Sequence, residues 1–157
     1  MNKFYLIFIS IALFIAACGG AKNEAEQTET TAQEEVKSEP EEKVAEAAVP
    51  RGQGIYKTYC QVCHQADGNG VPGMNPPLTQ TEWVLGEKER LIKVVLNGLN
   101  GEIEIKGEIY NNVMASHSFL TDKQIADVLT YVRSSWGNDA SEISEEEVAA
   151  VRASNEG

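Results

Sequence analysis

Residues 60–64 read Cys-Gln-Val-Cys-His, and no other feature of the chain narrows its fold as much. Two cysteines three positions apart sit on one face of a helix across a single turn. From there each thiol can form a thioether to one vinyl group of a haem, and the adjacent His64 presents its imidazole to the iron from the same side. The C-x-x-C-H pattern reads as a c-type haem attachment. Two other uses compete. A thioredoxin-like dithiol needs strands alternating with helices around the motif, and the flanking sequence shows none. Half of a zinc site needs a second cysteine pair, and His117 is the only other histidine.

The third cysteine, Cys18, has a separate setting. Lys3 precedes an almost wholly apolar run at 4–17, FYLIFISIALFIAA. The run is too short for a comfortable membrane span and has the length of a signal-peptide core. Small residues directly before Cys18 resemble the lipobox of bacterial lipoproteins. That resemblance implies a signal peptide at 1–17, cleavage before Cys18, and acylation of that cysteine into a bacterial membrane. The rival is an uncleaved transmembrane anchor with a free Cys18. Both readings put the rest of the chain outside the cytoplasm, on the periplasmic side.

Charge divides the chain beyond Cys18 into three parts. Residues 19–50 hold nine acids and three bases, a net of −6; residues 51–137 hold nine acids and eight bases, a net of −1; residues 138–157 hold six acids and one base, a net of −5. A near-neutral globular block at 51–137 is thus expected between acidic flanks. Residues 18–50, without an aromatic, bury too little to order themselves and read as a disordered tether, in which EEKVAEAA can form transient helix. Residues 138–157 read as an acidic extension, with a Ser144–Glu147 capping box opening a short helix to about Ala153 that either packs back on the domain or lies loose. Nothing in this distribution is a basic nucleic-acid footprint.

Around the haem string, residues 52–136 resemble a class I cytochrome c, an all-α fold wrapped around one covalent haem. Gly52 and Tyr56 stand eight and four residues before Cys60, where the family places a small residue and an aromatic on its N-terminal helix. After a loop at 67–73, Asn75-Pro76-Pro77-Leu78 stands where the family has Pro-x-Leu. The resemblance implies that the Pro76 carbonyl accepts a hydrogen bond from the proximal histidine, and that Leu78 packs on the haem face. A second helix is expected over Lys88–Leu96 with Asn97-Gly98 as its stop. Trp83 lies either near a haem propionate or in plain core. Ile103 and Ile105 alternate with Glu102 and Glu104 ahead of Lys106-Gly107, which predicts a small β-hairpin. Some bacterial members carry one just before the ligand methionine. A Thr121–Gln124 capping box opens the closing helix, whose apolar stripe is Ile125, Val128, Leu129, Val132 and Trp136, with Tyr131 placed to meet the N-terminal helix.

The resemblance implies His64 as proximal and Met114 as distal iron ligand, with one haem c carried on Cys60 and Cys63. His117 and Met74 are the rivals of Met114. Members often have a proline directly after the methionine; here Ala115 takes that place, so a less rigid loop is expected. The implied activity is electron carriage rather than enzymatic turnover. The implied donor is a membrane dehydrogenase or quinol-oxidising complex, and the implied acceptor a terminal oxidase or reductase. The alternative is a haem enzyme or gas sensor for peroxide, NO or CO, in which the distal ligand dissociates.

Overall fold

A computed structural model describes residues 41–155. The leader at 1–17, the proposed lipid site Cys18 and residues 19–40 lie outside the described residues. The described chain forms six helices and one two-stranded sheet: α1 (Glu41–Tyr59), α2 (Gln61–His64), α3 (Glu82–Leu85), α4 (Lys88–Asn97), β1 (Ile103–Ile105), β2 (Glu108–Tyr110), α5 (Asp122–Ser134) and α6 (Glu145–Asn155). No helix among the described residues is long and apolar enough to cross a membrane. The all-α class with a small hairpin agrees with the residue pattern.

α1 packs on α5. At their crossing, a Cβ built on Gly52 would fall on the Asp127 carbonyl and lie 2.7 Å from the Tyr131 Cβ, so only glycine permits this approach. Tyr56 is buried between the rings of Tyr131 and Trp136, with centroids 5.5 and 5.0 Å away. The tilted arrangement suits aromatic quadrupoles. Arg51 adds a bidentate ion pair to Asp127 at 2.7 and 2.8 Å.

α1 starts at Glu41, ten residues before the domain boundary expected at 51. The segment 41–50 that was expected to lie in the tether is helical in its entirety. Ala48 is buried and Val49 packs on the core, and this anchorage stabilises a stretch that its composition alone leaves marginal.

α4 ends at Gly98, whose φ of +76° is the left-handed conformation that glycine adopts without strain. The hairpin pairs Ile103 with Tyr110 and Ile105 with Glu108. Its two loop residues, Lys106 and Gly107, both have positive φ, 53° and 78°, the twist that suits a two-residue connection. The α5 capping box is complete. Thr121 Oγ1 accepts from the Gln124 N–H at 3.2 Å, and Gln124 Oε1 accepts from the Thr121 N–H at 3.0 Å.

Of the two arrangements open to the C-terminal segment, the structure shows the packed one. Ile143, Val148 and Val151 belong to the same buried cluster as Ile92, Ile125 and Leu129, and α6 lies against both α4 and α5. Ser144 and Glu147 form a reciprocal cap at 2.9 and 3.2 Å. Buried Arg133 donates to the carbonyls of Val84 and Ser141 at 2.6 and 2.7 Å, tying α3, α5 and the segment beyond residue 137 together. Packing thus continues past the boundary expected at 137. Its acidic composition belongs to the outer face of α6, while the inner face is apolar.

Candidate functional site

One face of α5, the side of α4, the hairpin and two loops enclose a cavity of about 370 Å³. Its walls are overwhelmingly apolar: Leu78, Leu91, Val95, Ile105, Leu129 and Val132 all contribute. Into this greasy space project Cys60, Cys63, His64 and Met114. Among the described residues no group of three or more His, Cys, Asp or Glu side chains could hold a metal ion, so the zinc alternative has no ligand set.

α2 is a single turn, and it sets the relation of the two cysteines to His64. The His64 N–H bonds to the Cys60 carbonyl at 3.0 Å, so Cys60, Cys63 and His64 sit on one helical turn. Cys60 is partly buried and Cys63 exposed, and neither is joined in a disulfide among the described residues. Burial, with Cys63 as a second cause, pushes the Cys60 thiol up to about 11. His64 Nδ1 donates to the Pro76 carbonyl oxygen at 3.0 Å. That bond fixes the tautomer, leaving Nε2 with its lone pair. Burial holds the imidazole below its ordinary value, against the opposing pull of the Pro76 bond, so the lone pair stays available at neutral pH. Pro76 and Leu78 both line the cavity, and the Leu78 N–H bonds to the Gly68 carbonyl at 2.7 Å.

Met114 reaches the cavity from a loop whose backbone is pinned at three places. Its N–H and carbonyl both pair with Leu99 at 2.9 Å. The His117 N–H bonds to the Val95 carbonyl at 2.8 Å, and the Ser116 hydroxyl donates to the Leu96 carbonyl. The end of α4 thus carries the loop, in which Ala115 stands where members often have proline.

The two rivals of Met114 are placed differently. Met74 is 52% exposed and does not line the cavity. His117 does line it, but Nδ1 donates to its own loop's Ala115 carbonyl at 2.9 Å, and the ring packs beside Phe119, centroids 5.7 Å apart. Trp83 lines the cavity while Arg90 lies 4.6 Å over its ring.

Sequence reasoning missed Asn138, which it placed beyond the domain. Its buried amide accepts from the Gln80 N–H at 2.6 Å and donates to the carbonyls of Leu78 and Val132 at 3.0 and 2.6 Å. It thereby fixes the far end of the proximal loop to the end of α5. The turn signal Trp136-Gly137-Asn138 was the available clue. The link from Asn112 Nδ2 to Asn75 Oδ1, 3.2 Å across the two loops, had no sequence signal.

An apolar cavity lined by an imidazole lone pair, a thioether and two neighbouring cysteines suits a flat apolar macrocycle with a central iron. These features fit a small helical haem protein. Comparison with known proteins agrees: the family model for cytochrome c matches residues 49–136. A cytochrome c-552 of Thermus thermophilus is 45% identical over 91 residues, covering 55% of this chain and 69% of that protein. The cytochrome c subunit of a quinone alcohol dehydrogenase from Gluconacetobacter polyoxogenes is 38% identical over 97 residues, 60% of this chain and 20% of the subunit. The cytochrome c subunit of gluconate 2-dehydrogenase from Pantoea cypripedii is 32% identical over 107 residues, 64% and 24%. The chain spans only a fifth to a quarter of these subunits. The chain belongs to the cytochrome c family, as a class I c-type cytochrome with one covalently bound haem c.

Proposed function

We propose that this cytochrome is a membrane-tethered carrier, passing single electrons between respiratory partners on the periplasmic side. In this reading Cys60 and Cys63 hold the haem through thioethers, His64 is the proximal ligand and Met114 the distal one. Residues 1–17 are removed, and Cys18 is acylated and lies in the bilayer. The observation that carries the reading is the pairing of a preset His64 lone pair with a Met114 whose backbone is fixed to Leu99. Two protein ligands leave the iron no open position, and a scaffold that holds both changes little when an electron arrives.

The donor in this reading is a membrane dehydrogenase or quinol-oxidising complex, and the acceptor a terminal oxidase or reductase. Support for the donor class comes from relatives that are themselves cytochrome c subunits of dehydrogenases. The bonds that hold the Met114 loop favour a carrier over an enzyme or gas sensor, which requires the distal side chain to swing away. Titration of the reduced holoprotein with CO tests this. The carrier leaves the spectrum unchanged; stoichiometric binding would establish the sensor reading instead. The oxidised-state spectrum of the wild type beside Met114→Ala tests the ligand. The sulfur-to-iron charge-transfer band is expected in the first and missing from the second. Mass spectrometry of the mature protein reads both the covalent haem and the acyl chains on Cys18.

A further inference from the structure

His64 and Met114 are presented by segments 50 positions apart, and two side chains join those segments at the edge of the cavity. Asn112 Nδ2 donates to Asn75 Oδ1 at 3.2 Å. Lys106 Nζ, from the tip of the hairpin, donates to the Thr79 carbonyl at 2.8 Å. The loop at 75–79 is thus held at both ends from the side that carries Met114, and Pro76, Pro77 and Leu78 between those ends line the cavity. Each end of the amide pair stands on fixed backbone. Asn75 exchanges both backbone hydrogen bonds with Val71, each 2.8 Å long. Gly70, with φ +65°, permits this tight closure, since a Cβ there would fall on the Asn75 carbonyl. Asn75 directly precedes Pro76, whose carbonyl accepts from His64 Nδ1. Asn112 stands two residues before Met114, whose backbone is bridged to Leu99.

We propose that Asn75–Asn112 and Thr79–Lys106 form a clasp that keeps Met114 on the iron, which makes Asn75, Asn112 and Lys106 positioning residues for the distal ligand. Met114 leaves the iron when its segment swings away from the segment that supports His64. With the clasp closed, that swing breaks two hydrogen bonds besides the iron–sulfur bond. The amide pair is neutral, whereas the Lys106 bond has a charged donor and is the stronger kind. Both bonds lie where water competes for their partners, so each slows release by a modest factor and neither abolishes it. No electron moves in this release, so the clasp acts on access to the sixth position and not on the redox step itself. The inference deepens the carrier reading and rests on Met114 as the ligand. It names the side chains that set how rarely the sixth position opens.

The test is the rate at which cyanide binds the oxidised holoprotein, measured at saturating cyanide so that release of Met114 limits it. Asn75→Ala and, separately, Asn112→Ala are expected to bind about three- to tenfold faster than the wild type. The double variant is expected to be no faster than the faster of the two, because the second substitution has no bond left to remove. Lys106→Met is expected to speed binding by a factor of similar size, and to multiply that of Asn112→Ala. Gly52→Ala, which loosens the helix crossing away from the cavity, is expected to leave the rate unchanged and so separates the clasp from general destabilisation. A wild-type rate in either Asn112→Ala or Lys106→Met would overturn the inference. So would effects of Asn75→Ala and Asn112→Ala that multiply in the double variant, or an equal acceleration in Gly52→Ala. An oxidised wild type that lacks the sulfur-to-iron band would instead remove Met114 as the ligand, and this inference with it.

Discussion

Met114 and Leu99 exchange both backbone hydrogen bonds, each 2.9 Å long, in a two-residue antiparallel bridge outside the hairpin. The bridge forms only because Gly98, next in line, turns with φ +76°. A Cβ there would strike the Met114 carbonyl and come within 2.9 Å of the Ser116 nitrogen. Gly98→Ala is therefore expected to destabilise the fold by about 1–3 kcal/mol through strain and overpacking. It is also expected to weaken the sulfur-to-iron band of the oxidised protein. Denaturant unfolding reads the first effect and the near-red absorption the second. Full stability with an intact band would show that the bridge does not hold the distal side chain.

Gly52 at the crossing of α1 and α5 tests the scaffold without touching the cavity. Gly52→Ala must push α1 off the Asp127 carbonyl, and about 1–3 kcal/mol of lost stability is expected. Helix propensity alone predicts the opposite sign, since alanine favours a helix interior by about 1 kcal/mol over glycine. A thermal melt thus separates close packing from propensity by its direction.

Asn138 makes three hydrogen bonds from a side chain 5% exposed. Asn138→Ala strands the Gln80 N–H and the Leu78 carbonyl and leaves the Val132 carbonyl only the Ser135 N–H at 3.5 Å, and a loss of about 2–3 kcal/mol is expected. Hydrogen exchange localises the damage: faster exchange at Gln80 and Leu78, with the hairpin unaffected.

Acid should loosen α6 before the rest of the domain. The Glu147 carboxyl is subject to opposing influences: burial raises its pKa, while Lys88 Nζ at 2.8 Å, the Ser144 N–H and the nearby Arg133 charge lower it, and the net result lies below its ordinary value. A depressed folded value means stability that is present above the unfolded pKa and lost as pH falls through the folded one. Glu147→Gln should therefore cost stability at neutral pH and nothing once pH is well below about 4. Melting curves of both proteins across that window check the convergence. A constant gap at every pH would mean that the charge has no part.

The legible part of the structure was the part whose residues carry local rules. The hairpin could be read from the alternation of Ile103 and Ile105 with glutamates. Both capping boxes could be read from Thr121–Gln124 and Ser144–Glu147, and the cysteines with their histidine from spacing. The two ends of the domain were harder, because composition there reflects only the solvent face. An acidic, alanine-rich stretch looks unstructured until a few of its members, Ala48 at one end and Val148 and Val151 at the other, find a surface to cover. The way the Met114 loop is held was illegible for a related reason. It depends on Val95, Leu96 and Leu99, well upstream in the chain, offering backbone groups at the right height.

The packing of α6 changes where the protein can be cut. A fragment ending at residue 136, where the family match stops, would expose the far sides of α4 and α5. It would also sever Arg133 from Ser141 and discard the Asn138 amide. Such an excised piece is expected to express poorly and take up haem inefficiently, whereas one running to Asn155 keeps its own lining. For this sequence the working unit for expression begins near Glu41 and extends a full helix past the conventional end.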